Sequence, residues 1–219
     1  MKYHLNVHGK DAVIDINIPE DVKSVGIFVS GGADSAVLLC TLAKEIENRD
    51  VKLKAFTVDR VGAASYAKMV IDAVTAKYGV AIEHVPNTPN PEAAHGSIRP
   101  ALRHLLPDDS LDMIFTGVND NPPRDLVVLN EVYPNRPKGE NPYPKIHMPF
   151  LPFWKSHVIA LAKQLDVLDV VALTHSCTER QIGRCGHCFQ CDERRWAFEI
   201  NGIENPPEPI DQLNGYIKL

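Results

Sequence analysis

No Walker A phosphate loop is present: the string Gly-x-x-x-x-Gly-Lys-Ser/Thr occurs nowhere in the 219 residues. No run approaches the ~18 apolar residues of a membrane span. The opening Met1-Lys2-Tyr3-His4-Leu5-Asn6 lacks the apolar core of a secretion signal. A cytoplasmic protein with no membrane partner is therefore expected. Basic residues are not in excess, since 23 Lys and Arg against 28 Asp and Glu give a net charge of −5. That balance argues against wholesale wrapping of nucleic acid, although a local basic patch stays compatible with it. Internal repeats and low-complexity segments are absent too. Cysteine is scarce before residue 177, where only Cys40 occurs, inside an apolar run that reads as core. The other four of the five cysteines fall between 177 and 191. In a reducing compartment such a cluster favours metal binding over disulfides.

What is present begins with Val29-Ser30-Gly31-Gly32-Ala33-Asp34-Ser35. It follows the apolar run Val25–Val29 and leads into Ala36–Ala43. A strand, a small-residue turn and a helix make a phosphate cradle. Gly31 and Gly32 permit a tight turn with no side chain in the way. The N–H groups of the turn and of the first helical turn then face outward, unpaired and partly positive. Ser30 and Ser35 add hydroxyl donors. Asp34 can cap the helix or hold a magnesium ion that bridges phosphates. The bland alternative is an ordinary glycine turn before a helix.

With 44% hydrophobic residues the chain can bury a full core. Tyr3–Val7 and Ala12–Ile18 read as a hairpin forming an edge ahead of the main sheet. Strands are expected at Val25–Ser30, Val51–Asp59, Ile82–Val85 and Leu111–Thr116. Helices are expected near Ser35–Glu47, Ala64–Lys77 with Gly79 as its C-cap, Pro91–Leu106, Asp125–Val132, Lys155–Leu165 and Asp192–Ile200. Alternating strands and helices imply an α/β fold with a parallel, doubly wound sheet. Ligands of such sheets sit at the carboxyl ends of the strands. Ser30–Ser35, Asp59 and Gly117 all fall there. Eight prolines between Gly117 and Pro152 mark a functional loop or an exposed connector. The expected organisation is a hairpin extension over 1–22, a nucleotide-binding domain over 23–175 and a metal-binding segment over 176–219.

Cys177, Cys185, Cys188 and Cys191 contain two Cys-x-x-Cys steps, enough to close one tetrahedral site. Gly183 and Gly186 let the backbone fold around an ion. A structural zinc is the first choice, and an iron–sulfur cluster or free thiols are the alternatives. His175 and His187 read as bystanders, since four thiolates already complete the site.

These two signals together resemble the 7-cyano-7-deazaguanine synthases, a family of the N-type ATP pyrophosphatases, or PP-loop superfamily. Ser30–Ser35 is the superfamily part of the match. Cys177 … Cys185-Gly186-His187-Cys188-Phe189-Gln190-Cys191-x-x-Arg194 is similar to the family's zinc loop, with one residue fewer between the first two cysteines. Phe56–Asp59, Phe115–Val118 and Pro149-Phe150 before Lys155 follow in the family's order. The likeness spans roughly 24–200. It departs at Asn119–Asp125, where the family has a stretch that helps form its deazaguanine pocket, and at Arg60-Val61-Gly62, where the family has a basic, tyrosine-bearing string.

The resemblance implies an adenine nucleotide alpha hydrolase-like fold and a ligase that transfers AMP to the carboxylate of 7-carboxy-7-deazaguanine. Ammonia then gives the amide, and a second ATP gives the nitrile. Ser30, Gly31, Gly32, Ala33, Asp34 and Ser35 would bind pyrophosphate with Mg2+. Phe56 and Asp59 would lie at the adenine, and Gly117 at the same edge. Asp34 and Lys155 would be catalytic, and Arg99 would meet phosphate. A plain helix lysine, a solvated arginine and a strand-end aspartate are the bland readings of Lys155, Arg99 and Asp59. Zn2+ would be structural, the partners small molecules, and the assembly a homodimer. Alternatives are coupling of the activated carboxylate to an amine on a protein or other macromolecule, tRNA thiolation with an iron–sulfur cluster, and a non-catalytic nucleotide-binding module.

Overall fold

A computed structural model describes residues 1–58, 63–88, 99–123 and 143–216. Its main sheet contains β3 (Ser24–Phe28), β4 (Lys52–Val58), β5 (Ile82–Thr88), β6 (Met113–Thr116) and β7 (Ile146–His147), in the order β5-β4-β3-β6-β7. Every neighbouring pair is parallel. All five residues of β3 are buried, as a central strand covered on both faces requires.

The two faces carry separate apolar layers. Val25, Ile27, Leu53, Ala55, Met113 and Phe115 face the larger one, with α1 (Ala33–Ile46), α2 (Ala63–Tyr78), α4 (Lys155–Gln164), α5 (Leu168–Ala172) and α6 (Phe189–Glu199). Phe28, Phe56, Ile114 and Ile146 face the other, beneath α3 (Arg99–Leu105). This is the doubly wound arrangement expected from the alternating pattern. Eleven of the 14 residues of α1 are buried, Cys40 among them, because neighbours cover nearly its whole circumference.

The hairpin is not an edge of that sheet. Among the described residues, β1 (Lys2–Val7) and β2 (Lys10–Asp15) pair only with each other, antiparallel, and β1 packs on α4. His8 and Gly9 both have positive φ, 53° and 71°. A two-residue turn of that hand matches the strand twist. Lys10 and Asp11 therefore belong to β2, which ends before the expected Ile18. Tyr3, Leu5, Ala12 and Ile14 point inward and join the larger core. β7, α5 and the C-terminal α7 (Ile210–Leu213) escape periodicity because each has five residues or fewer. The helix expected over 125–132, most of the proline-rich segment and residues 91–98 lie outside the described residues.

Candidate nucleotide and metal sites

The glycine turn joins β3 to α1 at the carboxyl edge. Gly31 has φ +77°, and a Cβ there would lie 2.6 Å from the Tyr66 Cβ. Both facts demand glycine. Gly32 is the N-cap of α1 and has no side-chain cap. Inside the turn the Ser35 hydroxyl donates to the Gly32 carbonyl at 3.1 Å and accepts the Ser30 N–H at 3.2 Å. The Ser30 Oγ accepts the Gly32 N–H at 3.3 Å. The two serines thus shape the loop from within. The first N–H groups of α1 have no partner inside the helix and open towards the sheet edge. Gly117, just past β6, abuts them: its Cβ would meet the Ser35 N and the Asp34 carbonyl carbon at 3.0 Å. Strand end and helix start approach this closely only without a side chain at Gly117.

Lys155 opens α4 and is buried, which removes its reading as a solvated helix lysine. Its Nζ donates to Asp34 Oδ2 at 2.8 Å and pairs with Glu193 Oε2 at 2.8 Å. Burial works against the ammonium charge, but Asp34 and then Glu193 outweigh it and hold its pKa above the ordinary lysine value. Asp34 Oδ1 is buried with no hydrogen-bond partner. An unpaired carboxylate oxygen beside a run of helix-start N–H groups suits a hard cation between protein and phosphate, so a magnesium ion fits there.

The four cysteine Sγ atoms all lie within 4.8 Å of one another. Cys177 and Cys188 are 4.0 Å apart, and Cys185 and Cys191 3.9 Å. Tetrahedral zinc with bonds of about 2.3 Å needs thiolates roughly 3.8 Å apart, so the cage fits one ion. Backbone N–H groups already point at sulfur, with Cys185 N on Cys177 Sγ at 3.5 Å and Cys188 N on Cys185 Sγ at 3.3 Å. Donation from the His187 and Cys188 backbone lowers the Cys185 thiol to about 6. Gly183 and Gly186 take φ of +76° and +81° in the loop between. No histidine among the described residues joins the cage.

The cage docks on the turn through α6. Cys188 is the N-cap of this helix and Cys191 lies in its first turn, so Glu193 and Arg194 are carried inward. Arg194, fully buried, donates to Asn205 Oδ1 at 2.9 Å, Thr174 Oγ1 at 2.8 Å, Ser176 Oγ at 3.2 Å and the Val171 carbonyl at 3.2 Å. Burial, then repulsion from Arg184, lowers it to about 9, which leaves it charged at neutral pH. Asn201 donates to the Ser156 carbonyl at 2.9 Å and ties the end of α6 to the start of α4.

His175 stays outside the cage, as expected, but it bears on the glycine turn. Its N–H reaches the Gly31 carbonyl at 2.9 Å, and its ring stacks on Tyr66 with centroids 4.7 Å apart. Its Nδ1 lies 2.9 Å from Glu208 Oε2, and Arg184 pairs with Glu208 at 2.6 Å. Burial raises the Glu208 pKa, but His175 and the arginines outweigh it and hold it below the ordinary glutamate value. The tail is thereby latched to the turn.

The structure therefore brings together Ser30, Gly31, Gly32, Ala33, Asp34, Ser35, Gly117, Lys155 and, through α6, the four cysteines. Phe56 reaches the turn through its backbone only, one residue before Ser30. Its ring is buried against Phe28 in the second apolar layer, and its carbonyl accepts the Val29 N–H at 2.9 Å. Arg99 opens α3. Asp59 and Arg60-Val61-Gly62 lie outside the described residues. Sequence reasoning missed Glu193 and Glu208. Glu193 had a signal, its place beside Cys191 and Arg194. Glu208 had none, since it sits in a proline-bearing tail.

Residues 116–202 match the family model described as queuosine biosynthesis protein QueC. Curated relatives share short stretches. The 7-cyano-7-deazaguanine synthase of Chromobacterium violaceum is 31% identical over 62 residues, 28% of this chain and 26% of that protein. The synthase of Saccharolobus solfataricus is 31% identical over 105 residues, 44% of this chain and 22% of that protein. The chain thus spans about a quarter of the length of these relatives. Among solved structures, NMN synthetase from Francisella tularensis aligns at 14% identity and TM-score 0.46, over 90% of this chain and 84% of that one. U34-tRNA thiolase NcsA from Methanococcus maripaludis, solved with its [4Fe-4S] cluster, aligns at 18% identity and TM-score 0.44, over 90% of this chain and 74% of that one. No helix among the described residues is long and apolar enough to cross a membrane. Residues 116–202, which contain the cysteine motif but not the glycine turn, are thus similar to QueC, and the 7-cyano-7-deazaguanine synthases match the chain only over part of its length and at low identity.

Proposed function

We propose that the protein activates a deazapurine carboxylate with ATP on the way to 7-cyano-7-deazaguanine, the product for which the synthases it resembles are named. One observation carries this reading: Lys155 and the unpartnered Asp34 Oδ1 meet at the glycine turn. A carboxylate resists nucleophilic attack because of its charge. Its oxygen attacks the ATP α-phosphorus, the bond to the β-phosphate oxygen breaks, and pyrophosphate leaves. Backbone N–H groups at Gly32–Ser35 and the hydroxyl of Ser30 receive that leaving group, and the Lys155 ammonium stabilises its charge. Magnesium held by Asp34 would offset the phosphate charge when bound. Ammonia displaces AMP to give the amide. The amide oxygen takes a second AMP and leaves with it, and loss of the two amide protons gives the nitrile.

The cysteine cage takes zinc in a structural role. Four thiolates leave no open position for water, and sulfurs this close suit a single ion better than a four-iron cluster. The protein works in the cytoplasm as a homodimer. The test supplies 7-carboxy-7-deazaguanine, ammonia and ATP. AMP, pyrophosphate and a product with the mass of the acid plus ammonia less two waters, the nitrile, support the reading; no AMP contradicts it. A second reading, coupling to an amine on a macromolecule, is favoured by the departure at Asn119–Asp125 from the family's pocket. A mass increase on a co-expressed partner would select it.

A further inference from the structure

We propose that Glu193 is a positioning residue that keeps Asp34 available to a divalent cation at the glycine turn. The inference rests on the nucleotide reading above. A single buried ammonium is shared by two carboxylates, with Lys155 Nζ 2.8 Å from Asp34 Oδ2 and 2.8 Å from Glu193 Oε2. The side chains of Lys155 and Glu193 are 6% and 5% exposed, so water competes little for either. Lysine has three donors and no fixed fork, so its position follows the acceptors around it. With Asp34 as its sole counter-ion, the ammonium would move onto that carboxylate and engage both oxygens. Glu193 holds it back. Asp34 accordingly commits only Oδ2, and Oδ1 stays buried and unpartnered.

Glu193 has no latitude of its own. It sits two residues after Cys191 on a helix whose N-cap is Cys188, and Asn201 binds the far end of that helix to the Ser156 carbonyl. The cysteine cage, through α6, thus sets where the ammonium rests and how much of Asp34 is left for a cation. Two effects of Glu193 have the same sign. Its charge attracts a divalent ion directly, and its share of Lys155 weakens the competing Lys155–Asp34 pair.

The test compares wild type with Glu193→Gln, which keeps shape and removes charge. Each zinc-replete protein is titrated calorimetrically with Mn2+ alone, with ATP free of divalent ions, and with ATP in excess Mn2+. Glu193→Gln should weaken Mn2+ binding and the Mn2+-dependent gain in ATP affinity about tenfold or more, on the scale of one lost charge nearby. Binding of metal-free ATP should hold or tighten, because one negative charge has left. A parallel fall in both kinds of binding would mark a merely structural glutamate and overturn the proposal, as would no change in either. Glu193→Asp, which keeps the charge but retreats by one methylene, should shift Mn2+ affinity in the same direction by less. It serves if the glutamine variant fails to fold. Wild type that binds Mn2+ but no ATP would sink the nucleotide reading, and the Mn2+ titration alone would still decide the role of Glu193.

Discussion

Two segments are added to the same parallel sheet, and they are attached by different mixtures of forces. The hairpin at residues 2–15 docks through Tyr3, Leu5, Ala12 and Ile14, which merge with the larger apolar core. The segment after Thr174 also buries Ala197, Phe198 and Leu213, but adds polar groups the hairpin lacks: Arg194 with its four acceptors, Glu193 on Lys155, and Glu208 between His175 and Arg184. Apolar contact is non-directional and adds stability without orienting anything. Ion pairs and hydrogen bonds contribute less net stability for their burial cost, but they define positions to a fraction of an ångström. The hairpin can therefore be altered at a cost in stability alone, whereas damage to the cysteine segment reaches the glycine turn.

The largest effect that sharpens this contrast should come from Cys188→Ser. It removes one of the four thiolates while leaving a good N-cap on α6, and binding free energies on the order of 10 kcal/mol are at stake in structural zinc sites. Loss of bound metal, with protease cleavage confined to residues 176–216, is the expected readout by elemental analysis and mass spectrometry. Arg194→Met comes next. Four acceptors, two buried and two half-buried, lose their donor, and a fall of about 3–5 kcal/mol in unfolding free energy is expected by denaturant titration. Ile14→Ala should lower stability by about 2–4 kcal/mol through its cavity, yet leave ATP affinity within about twofold of wild type. A large loss of ATP binding there would break the contrast.

Glu208→Gln should cost about 1–2 kcal/mol at neutral pH, the worth of a charge-assisted pair. The folded Glu208 pKa is depressed, so its contribution is present above the unfolded value of about 4.3 and fades as pH falls through the folded one. Thermal unfolding of the two proteins should therefore converge on acidification below about pH 4. A gap that stays constant with pH would remove the latch. The smallest effect should come from the exposed Lys77–Asp169 pair, 3.2 Å apart, where Lys77→Ala should change stability by about 0.5 kcal/mol or less.

The sheet was legible because its strands are apolar runs separated by amphipathic helices, and β3, β4 and β6 lie within two residues of their expected ends except where Asp59 passes out of the described residues. The turn and the cage were legible for a different reason. Gly31, Gly117 and the cysteines are residue types that few other environments require, so their spacing alone points to their work. The ion-pair partners were not. Glu193 and Glu208 are ordinary glutamates in sequence. They reach the turn only because α6 and the tail fold back over 38 and 33 residues, respectively, to Lys155 and His175, and local pattern contains no record of such closures. The hairpin was misplaced on the sheet edge because alternation reveals a strand but not its neighbour.

Calorimetric titration of folded, zinc-replete protein with ATP and Mg2+ tests the central claim most directly. Saturable binding that inorganic pyrophosphate competes away, and that Asp34→Asn weakens at least about tenfold, is the predicted result. Heat indistinguishable from dilution, in protein that still unfolds cooperatively, would contradict it.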